Sequence, residues 1–308
     1  MKIVFLDAAT MGATPMTAIA AIGDFVCYDS STAEEARERA RDADVVILNK
    51  IIVDEAFLDA APKVRLICEA GTGINNIDTD LCRERGVIVR NVAGYSTDSV
   101  AQLTWMHILN LVGNAFHYDR YVKDGRYSAG KIHTDAAHPF TELTGKTIGI
   151  VGMGAIGQKV ASIARAFGME VIYFSTSGTS HCKDYPSVPL EELLRRSDVV
   201  SIHAPYNART AGLIGYDQIR LMKPTAVLVN TGRGGIAVEK DLVRAIDEEL
   251  IAGIGIDVYE KEPIPTDHPF LHSRFPGRVL LSPHVAWTSN EARQRLADEM
   301  AANILKGW

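Results

Sequence analysis

At 308 residues the chain has room for two substantial cores, since domains of roughly 100 to 200 residues are the norm. Its 47% apolar and 23% charged content is that of an ordinary globular protein, and a formal net charge of -6 offers no broad basic surface for nucleic acid or anionic lipid, so a small, mobile substrate is expected. The four cysteines, Cys27, Cys68, Cys82 and Cys182, form no CxxC pair and announce neither a zinc ribbon nor a disulfide framework; no metal site is expected.

Along the chain, the first apolar run, "KIVFL", is stopped by Asp7 and is too short for a signal-peptide core. No segment approaches the ~20 apolar residues of a membrane span, so a cytoplasmic location is expected. "KIVFLD", "DFVCYD", "DVVILNK", "VRLICEAGTG" and "GVIVRNVAG" then alternate with charged helical stretches such as "STAEEARERARDAD". Strands alternating with amphipathic helices predict a parallel sheet covered on both faces. From Ser99 to about Phe116, "SVAQLTWMHILNLVGNAF" reads as one long helix, apolar all round. Such a helix must be buried between domains or against a second subunit, and a homodimer is expected.

After the loop "KDGRYSAGKIHTDAAHPFTELTG" the alternation restarts with "KTIGIVG", "EVIYF", "DVVSIHAP", "TAVLVNTG", "AGIGIDVYE" and "RVLLSPH". Those strands match a full Rossmann domain built of two mononucleotide-binding halves. The final "NEARQRLADEMAANILKGW" is an amphipathic helix that is expected to pack back on the first domain. The organisation is therefore α/β, with one parallel-sheet domain over residues 1–98 plus 289–308 and a doubly wound dinucleotide-binding domain over 99–288.

The turn "GMGAIG" follows the strand "TIGIV" directly and opens the helical pattern "QKVASIARAF". Gly152 permits the tight turn, Gly154 lets backbone approach a pyrophosphate, and Gly157 allows close helix-to-strand packing, with Ala155 and Ile156 between them. In that arrangement an acid roughly 20 residues on grips the adenosine ribose and repels a 2'-phosphate. Here Ser175 occupies the place, followed by Thr176, Ser177, Thr179, Ser180 and Lys183. The site has lost its discrimination against NADP, so NAD or NADP is the expected cofactor, with NADP at least tolerated.

Arg233, Glu262 and His284 each stand just after a strand pattern of the second domain. In an open parallel sheet the ligand crevice lies outside the carboxyl ends of the strands, which predicts that the three converge beside the cofactor. Hydride delivery to a ketone requires a proton for the developing alkoxide, and histidine is suited to proton exchange near neutral pH. A glutamate on the other ring nitrogen would orient the imidazole, and a fork-shaped arginine binds the carboxylate or carbonyl of a 2-oxo acid.

"EAGTGINNID", "NVAGYSTDSVAQ", "GKTIGIVGMGAIG", "SDVVSIHAP", "MKPTAVLVNTGRGG", "GIDVYEKEP" and "LLSPHVAWTS" cover nearly the whole chain. In their order and wording the sequence resembles the D-isomer-specific 2-hydroxyacid dehydrogenase family. The resemblance implies a flavodoxin-like substrate-binding first domain, His284 as acid/base, Glu262 as its partner and Arg233 as the substrate clamp. It further implies Thr72 and Gly73 as backbone donors to the substrate carboxylate and Asp257 as a contact of the nicotinamide amide. Thr97, His203, Ala204, Pro205 and Thr231 would line the cofactor. "PHVAWTS", with Trp287, looks most like the glycerate dehydrogenase or hydroxypyruvate reductase branch. Gln102, where a glutamate is usual, and Ser175 depart from the pattern, and neither touches the trio.

The expected substrates are thus hydroxypyruvate or glyoxylate, giving D-glycerate or glycolate. D-lactate and D-3-phosphoglycerate are the alternatives, and Lys50 in "LNKIIVD" is the cation that a phosphorylated substrate would want. A dinucleotide-sensing binding protein, like family-related corepressors, is an alternative of another class. An intact Arg, Glu and His trio argues against it, because a pure sensor needs no proton donor.

Overall fold

The computed structural model describes residues 1–180 and 182–308. The chain divides into two compact units, residues 1–96 with 287–308, and residues 97–286. Each crossing falls two residues before the expected one. Thr97 already opens the Thr97–Gly113 helix, and Trp287 packs edge-on to Tyr95 within the first unit, ring centroids 6.4 Å apart. No helix among the described residues is long and apolar enough to cross a membrane.

In the first unit, β1 (Lys2–Phe5), β2 (Asp24–Cys27), β3 (Val45–Leu48), β4 (Leu66–Glu69) and β5 (Ile88–Arg90) form one parallel sheet in the order β2-β1-β3-β4-β5. That is the flavodoxin-like order. The fully buried "VVIL" and "LICE" runs become central strands because both of their faces are covered. On one face the Asn290–Leu305 helix inserts Ala292, Leu296, Ala297, Met300 and Ile304 against Ile3, Phe5, Val45 and Cys68. Helices Ala33–Ala40, Glu55–Ala60 and Thr79–Glu84 each begin at a side-chain cap: Thr32, in a capping box with Glu35, then Asp54 and Asp78.

At the carboxyl edge of this sheet polar groups close on one another. The Asp7 carboxylate accepts the Asn49 and Lys50 N–H groups, Asn49 Nδ2 donates to Ala70 O, and Asn76 Nδ2 donates to Ile51 O and Glu69 Oε2. Glu69 is 2% exposed. Burial pushes its carboxyl up to about 8, the nearby Asp7 adding to the rise against the Asn76 hydrogen bond.

In the second unit, β6 (Thr147–Val151), β7 (Glu170–Phe174), β8 (Val199–Ile202), β9 (Val227–Asn230), β10 (Gly253–Ile256) and β11 (Val279–Leu281) form a parallel sheet in the order β11-β10-β9-β8-β6-β7. The strand count agrees with the sequence, but these are not the six strands of two equal halves. The third Rossmann position, beyond β7, is reduced to one bridge between Tyr173 and Ser187, and the second half carries the extra strand. Pro186 and Pro189 flank that bridge and lack the N–H groups a longer ladder needs.

The long apolar helix also differs from its expectation. It ends at Gly113, and a second helix runs from Ala115 to Lys123 after Asn114, whose backbone is left-handed at φ 51° and whose side chain donates to Pro139 O. Nor is it buried all round. Ala101, Trp105 and Ile108 enter the core and Trp105 stacks on Phe167, whereas Met106 and Leu109 are about 40% exposed.

The raised Glu69 carboxyl makes a pH prediction. A group protonated up to about 8 in the folded chain but only to 4.5 in the unfolded one stabilises the fold at low pH. That contribution is lost as pH rises from 4.5 through 8. Glu69→Gln is therefore expected to gain stability over wild type progressively between pH 5 and pH 9, by about 2 to 5 kcal/mol at the upper end. Denaturant melts across this range check it, and a difference independent of pH refutes the assignment.

Candidate active site

The sheet of the second unit lifts the three sequence candidates to one edge. Arg233 lies three residues beyond β9, Glu262 six beyond β10 and His284 three beyond β11, and these strands are parallel neighbours. Glu262 and His284 meet directly, His284 Nδ1 lying 2.7 Å from Glu262 Oε2. The carboxylate's other oxygen accepts the Tyr259 N–H at 3.0 Å, which fixes its plane. With Nδ1 engaged by the carboxylate, Nε2 is the ring atom left to exchange a proton. Both side chains are about a quarter exposed, so water and small acids reach them.

His284 adopts φ 54°, a left-handed conformation uncommon in residues with a Cβ. Its N–H is held by Asp257 O at 2.8 Å and Ser282 O at 3.1 Å. The Asp257 carboxylate, fully buried, accepts Ser282 Oγ at 2.6 Å, Val285 N at 2.9 Å and Ala286 N at 2.9 Å. Burial raises its pKa, and the Ser282 hydrogen bond acts against that rise first. His107, from the Thr97–Gly113 helix, completes the chain through Nε2 and Ser282 Oγ, 2.9 Å apart. Burial alone depresses His107 to about 4, so it serves as a neutral prop. Neither His107 nor Ser282 is marked by any local sequence pattern, since what recruits them is a contact 175 residues apart.

Arg233 sits in a glycine loop that presses on the loop bearing Glu262. Asn230 Nδ2 donates to Arg233 O, Asn230 Oδ1 accepts Gly232 N, and Arg233 Nη1 donates to Gly232 O. A Cβ on Gly234 would meet the Tyr259 carbonyl carbon at 2.0 Å, so any side chain there drives the two loops apart. Thr231 is engaged elsewhere, its hydroxyl 2.8 Å from that of Thr104.

At the same edge, Gly152 follows β6 with φ 93°, and a Cβ there would meet the Ala204 backbone at 2.9 Å. Gly157 closes against Gly152 O in the same way. The Ala155–Ala166 helix starts at Gly154, which provides no side-chain cap, and the space above Gly154 is clear. Its first N–H groups and the helix dipole are thus free for an anion. His203, after β8, has its Nε2 on Ser201 Oγ and its buried Nδ1 without a partner. Burial holds this ring neutral, its pKa lowered to about 3. A phosphate-accepting helix end beside an unpaired buried ring nitrogen fits a dinucleotide.

Ser175 closes β7 as expected, and the hydroxyls after it knit a tight turn: Ser175 Oγ and Ser177 Oγ donate to Thr179 O at 2.6 and 3.0 Å. The cation brought to this turn is Arg209, whose Nη1 donates to Ser177 O at 2.7 Å. Lys183, the sequence candidate for that charge, is exposed. Arg209 comes from the loop after β8, 32 residues away, and no local spacing signals it.

Lys50, Thr72 and Gly73 belong to the first unit. Lys50 follows β3 with its N–H on Asp7, and Thr72 Oγ1 donates to Val92 O at 2.9 Å. Thr97 and Pro205 lie in the second unit, at the start of the first helix and after β8 respectively.

Residues 105–286 match the profile of the D-isomer specific 2-hydroxyacid dehydrogenase NAD-binding domain. The chain belongs to the D-isomer-specific 2-hydroxyacid dehydrogenase family. Glyoxylate reductase of Korarchaeum cryptofilum is 38% identical over 276 residues, 87% of this chain and 80% of that protein. Hydroxypyruvate reductase of Blautia hydrogenotrophica is 32% identical over 317 aligned residues, 100% of this chain and 98% of that one. Among solved structures, the NADPH-dependent glyoxylate/hydroxypyruvate reductase of Sinorhizobium meliloti superposes with a TM-score of 0.84 at 25% identity, over 100% of this chain and 94% of its own. This 2-hydroxyacid dehydrogenase is an oxidoreductase that uses a nicotinamide dinucleotide, which the helix end at Gly154 and the ring of His203 fit.

Proposed function

We propose that this dehydrogenase reduces glyoxylate or hydroxypyruvate to glycolate or D-glycerate, with His284 as the proton donor. The observation that carries the assignment is the 2.7 Å contact of His284 Nδ1 with Glu262, which dedicates Nε2 to the substrate oxygen. The activities of the similar proteins from Korarchaeum, Blautia and Sinorhizobium support the substrate class. When bound, the reduced nicotinamide supplies the hydride. As the carbonyl carbon gains it, the carbonyl oxygen takes the Nε2 proton and becomes the hydroxyl, and Glu262 steadies the ring through each change of charge. Arg233 holds the carboxylate or carbonyl oxygen as a charged fork, and Thr72 and Gly73 donate backbone N–H groups to the carboxylate. Lys50 serves a substrate bearing further negative charge. Gly152, Gly154, Ala155, Ile156 and Gly157 would hold the pyrophosphate, whereas Asp257, expected at the nicotinamide amide, is buried with its carboxylate taken by Ser282, Val285 and Ala286.

A panel of glyoxylate, hydroxypyruvate, pyruvate and phosphohydroxypyruvate, run with NADH and with NADPH, tests this reading. The first two are expected to give the highest kcat/KM, and no turnover of any of them favours a dinucleotide sensor. His284→Ala is expected to lower kcat by at least about 100-fold while dinucleotide still binds. Activity within a few-fold of wild type refutes the role.

NADPH is expected to serve at least comparably to NADH, since Ser175 carries no charge against a 2'-phosphate and Arg209 brings a positive one to the same turn. Ser175→Asp is expected to shift the kcat/KM ratio toward NADH by about tenfold or more, and Arg209→Ala to raise KM for NADPH without raising it for NADH. A wild-type preference for NADH above about a hundredfold overturns the reading.

The protein is proposed to be a homodimer, because Met106 and Leu109 on the Thr97–Gly113 helix and Phe116 and Val122 on the next are 40–62% exposed. Light scattering at micromolar concentration is expected to show twice the chain mass, and a monomer refutes it.

A further inference from the structure

The Ala115–Lys123 helix has no buried residue, and the segment after Ala129 has no regular structure up to Leu143. What joins them is a cluster of three polar side chains. Asp135 Oδ2 lies 2.7 Å from His117 Nε2 and 3.1 Å from His138 Nδ1, and Asp135 Oδ1 lies 3.3 Å from the same His138 atom. The imidazole centroids are 3.9 Å apart. Asp135 is the least exposed of the three at 11%, and its Oδ1 also accepts the Ala137 N–H at 3.2 Å.

We propose that His117, Asp135 and His138 bind a first-row divalent metal ion, of which zinc is the representative. One donor atom from each residue lies within 4.8 Å of the other two, the only such group of three among the described residues. Bonds of about 2.1 Å at tetrahedral angles place donor atoms roughly 3.4 Å apart, so the 2.7 and 3.1 Å contacts to Asp135 need open by about 0.7 and 0.3 Å. Two imidazoles converge on one carboxylate, and a divalent ion would engage all three groups at once. Two imidazoles and one carboxylate are a borderline donor set that suits zinc, cobalt or nickel and offers too few oxygens for calcium or magnesium.

Three protein ligands leave a fourth position for water. A cleft of about 460 Å³, lined by Tyr118, Tyr121, Tyr127, His133, Asp135 and Phe140, adjoins the cluster. The ion would cross-link the helix to a loop 18 residues further along, tying down a segment that has little core of its own. The trio at the catalytic edge is untouched, and no CxxC or closely spaced histidine pair announces the site in the sequence, because the ligands are spread over 22 residues.

The untagged full chain, stripped of metal, is titrated with zinc chloride against a chromophoric chelator, and with cobalt chloride followed by visible absorption. One zinc per chain is expected, with a dissociation constant below about 10 μM, together with cobalt d–d bands and a rise in Tm. His138→Ala and Asp135→Asn, both on an exposed loop, are each expected to weaken zinc binding at least about tenfold and to remove the bands. Weaker binding by wild type, or a smaller effect of either substitution, overturns the proposal.

Discussion

The catalytic edge depends on a carboxylate that never sees solvent. Asp257, just beyond β10, stays buried because three donors converge on it: a serine hydroxyl and two successive backbone N–H groups of the loop after β11. Its own carbonyl holds the N–H of His284. Removing the carboxylate would take the acceptor from the buried Ala286 N–H, at about 1 to 3 kcal/mol, and would loosen the loop that presents His284. The left-handed backbone at His284 persists only because its neighbours over-determine it. The backbone of His284 is therefore held from β10, while its ring is held by Glu262 from the loop beyond the same strand.

A second constraint governs the other half of this edge. Gly234 lies so close to the Tyr259–Glu260 peptide that no side chain fits between the arginine loop and the glutamate loop. Arg233 and Glu262 thus keep their spacing without any direct hydrogen bond between their side chains being needed. Helix Thr97–Gly113 contributes from beneath through His107, whose neutral ring fills the hollow over Gly255 in β10.

Much of this was legible in the sequence where the signal is local. Runs of β-branched residues gave all the strands of both sheets, the glycine turn marked the helix end at Gly154, and Arg233, Glu262 and His284 were found because each follows a strand pattern. What was hidden is non-local. Arg209 reaches Ser177 from the next strand's loop, Asp257 recruits Ser282 and His107, and the lost third strand shows only as two prolines in a segment long enough to pair. Asn114 breaks a helix whose hydrophobicity runs on, because its side chain finds Pro139, and no window of the sequence contains both.

The discontinuity of the first unit has a consequence for how the chain is made. Its sheet is complete once Arg90 has been synthesised, yet the helix that covers one face of it spans Asn290–Leu305. Throughout the synthesis of the intervening unit, Ile3, Phe5 and Val45 lack the side chains of Leu296, Met300 and Ile304 that seal them. The contiguous unit can therefore close while this apolar face of the earlier sheet still waits for the helix that seals it.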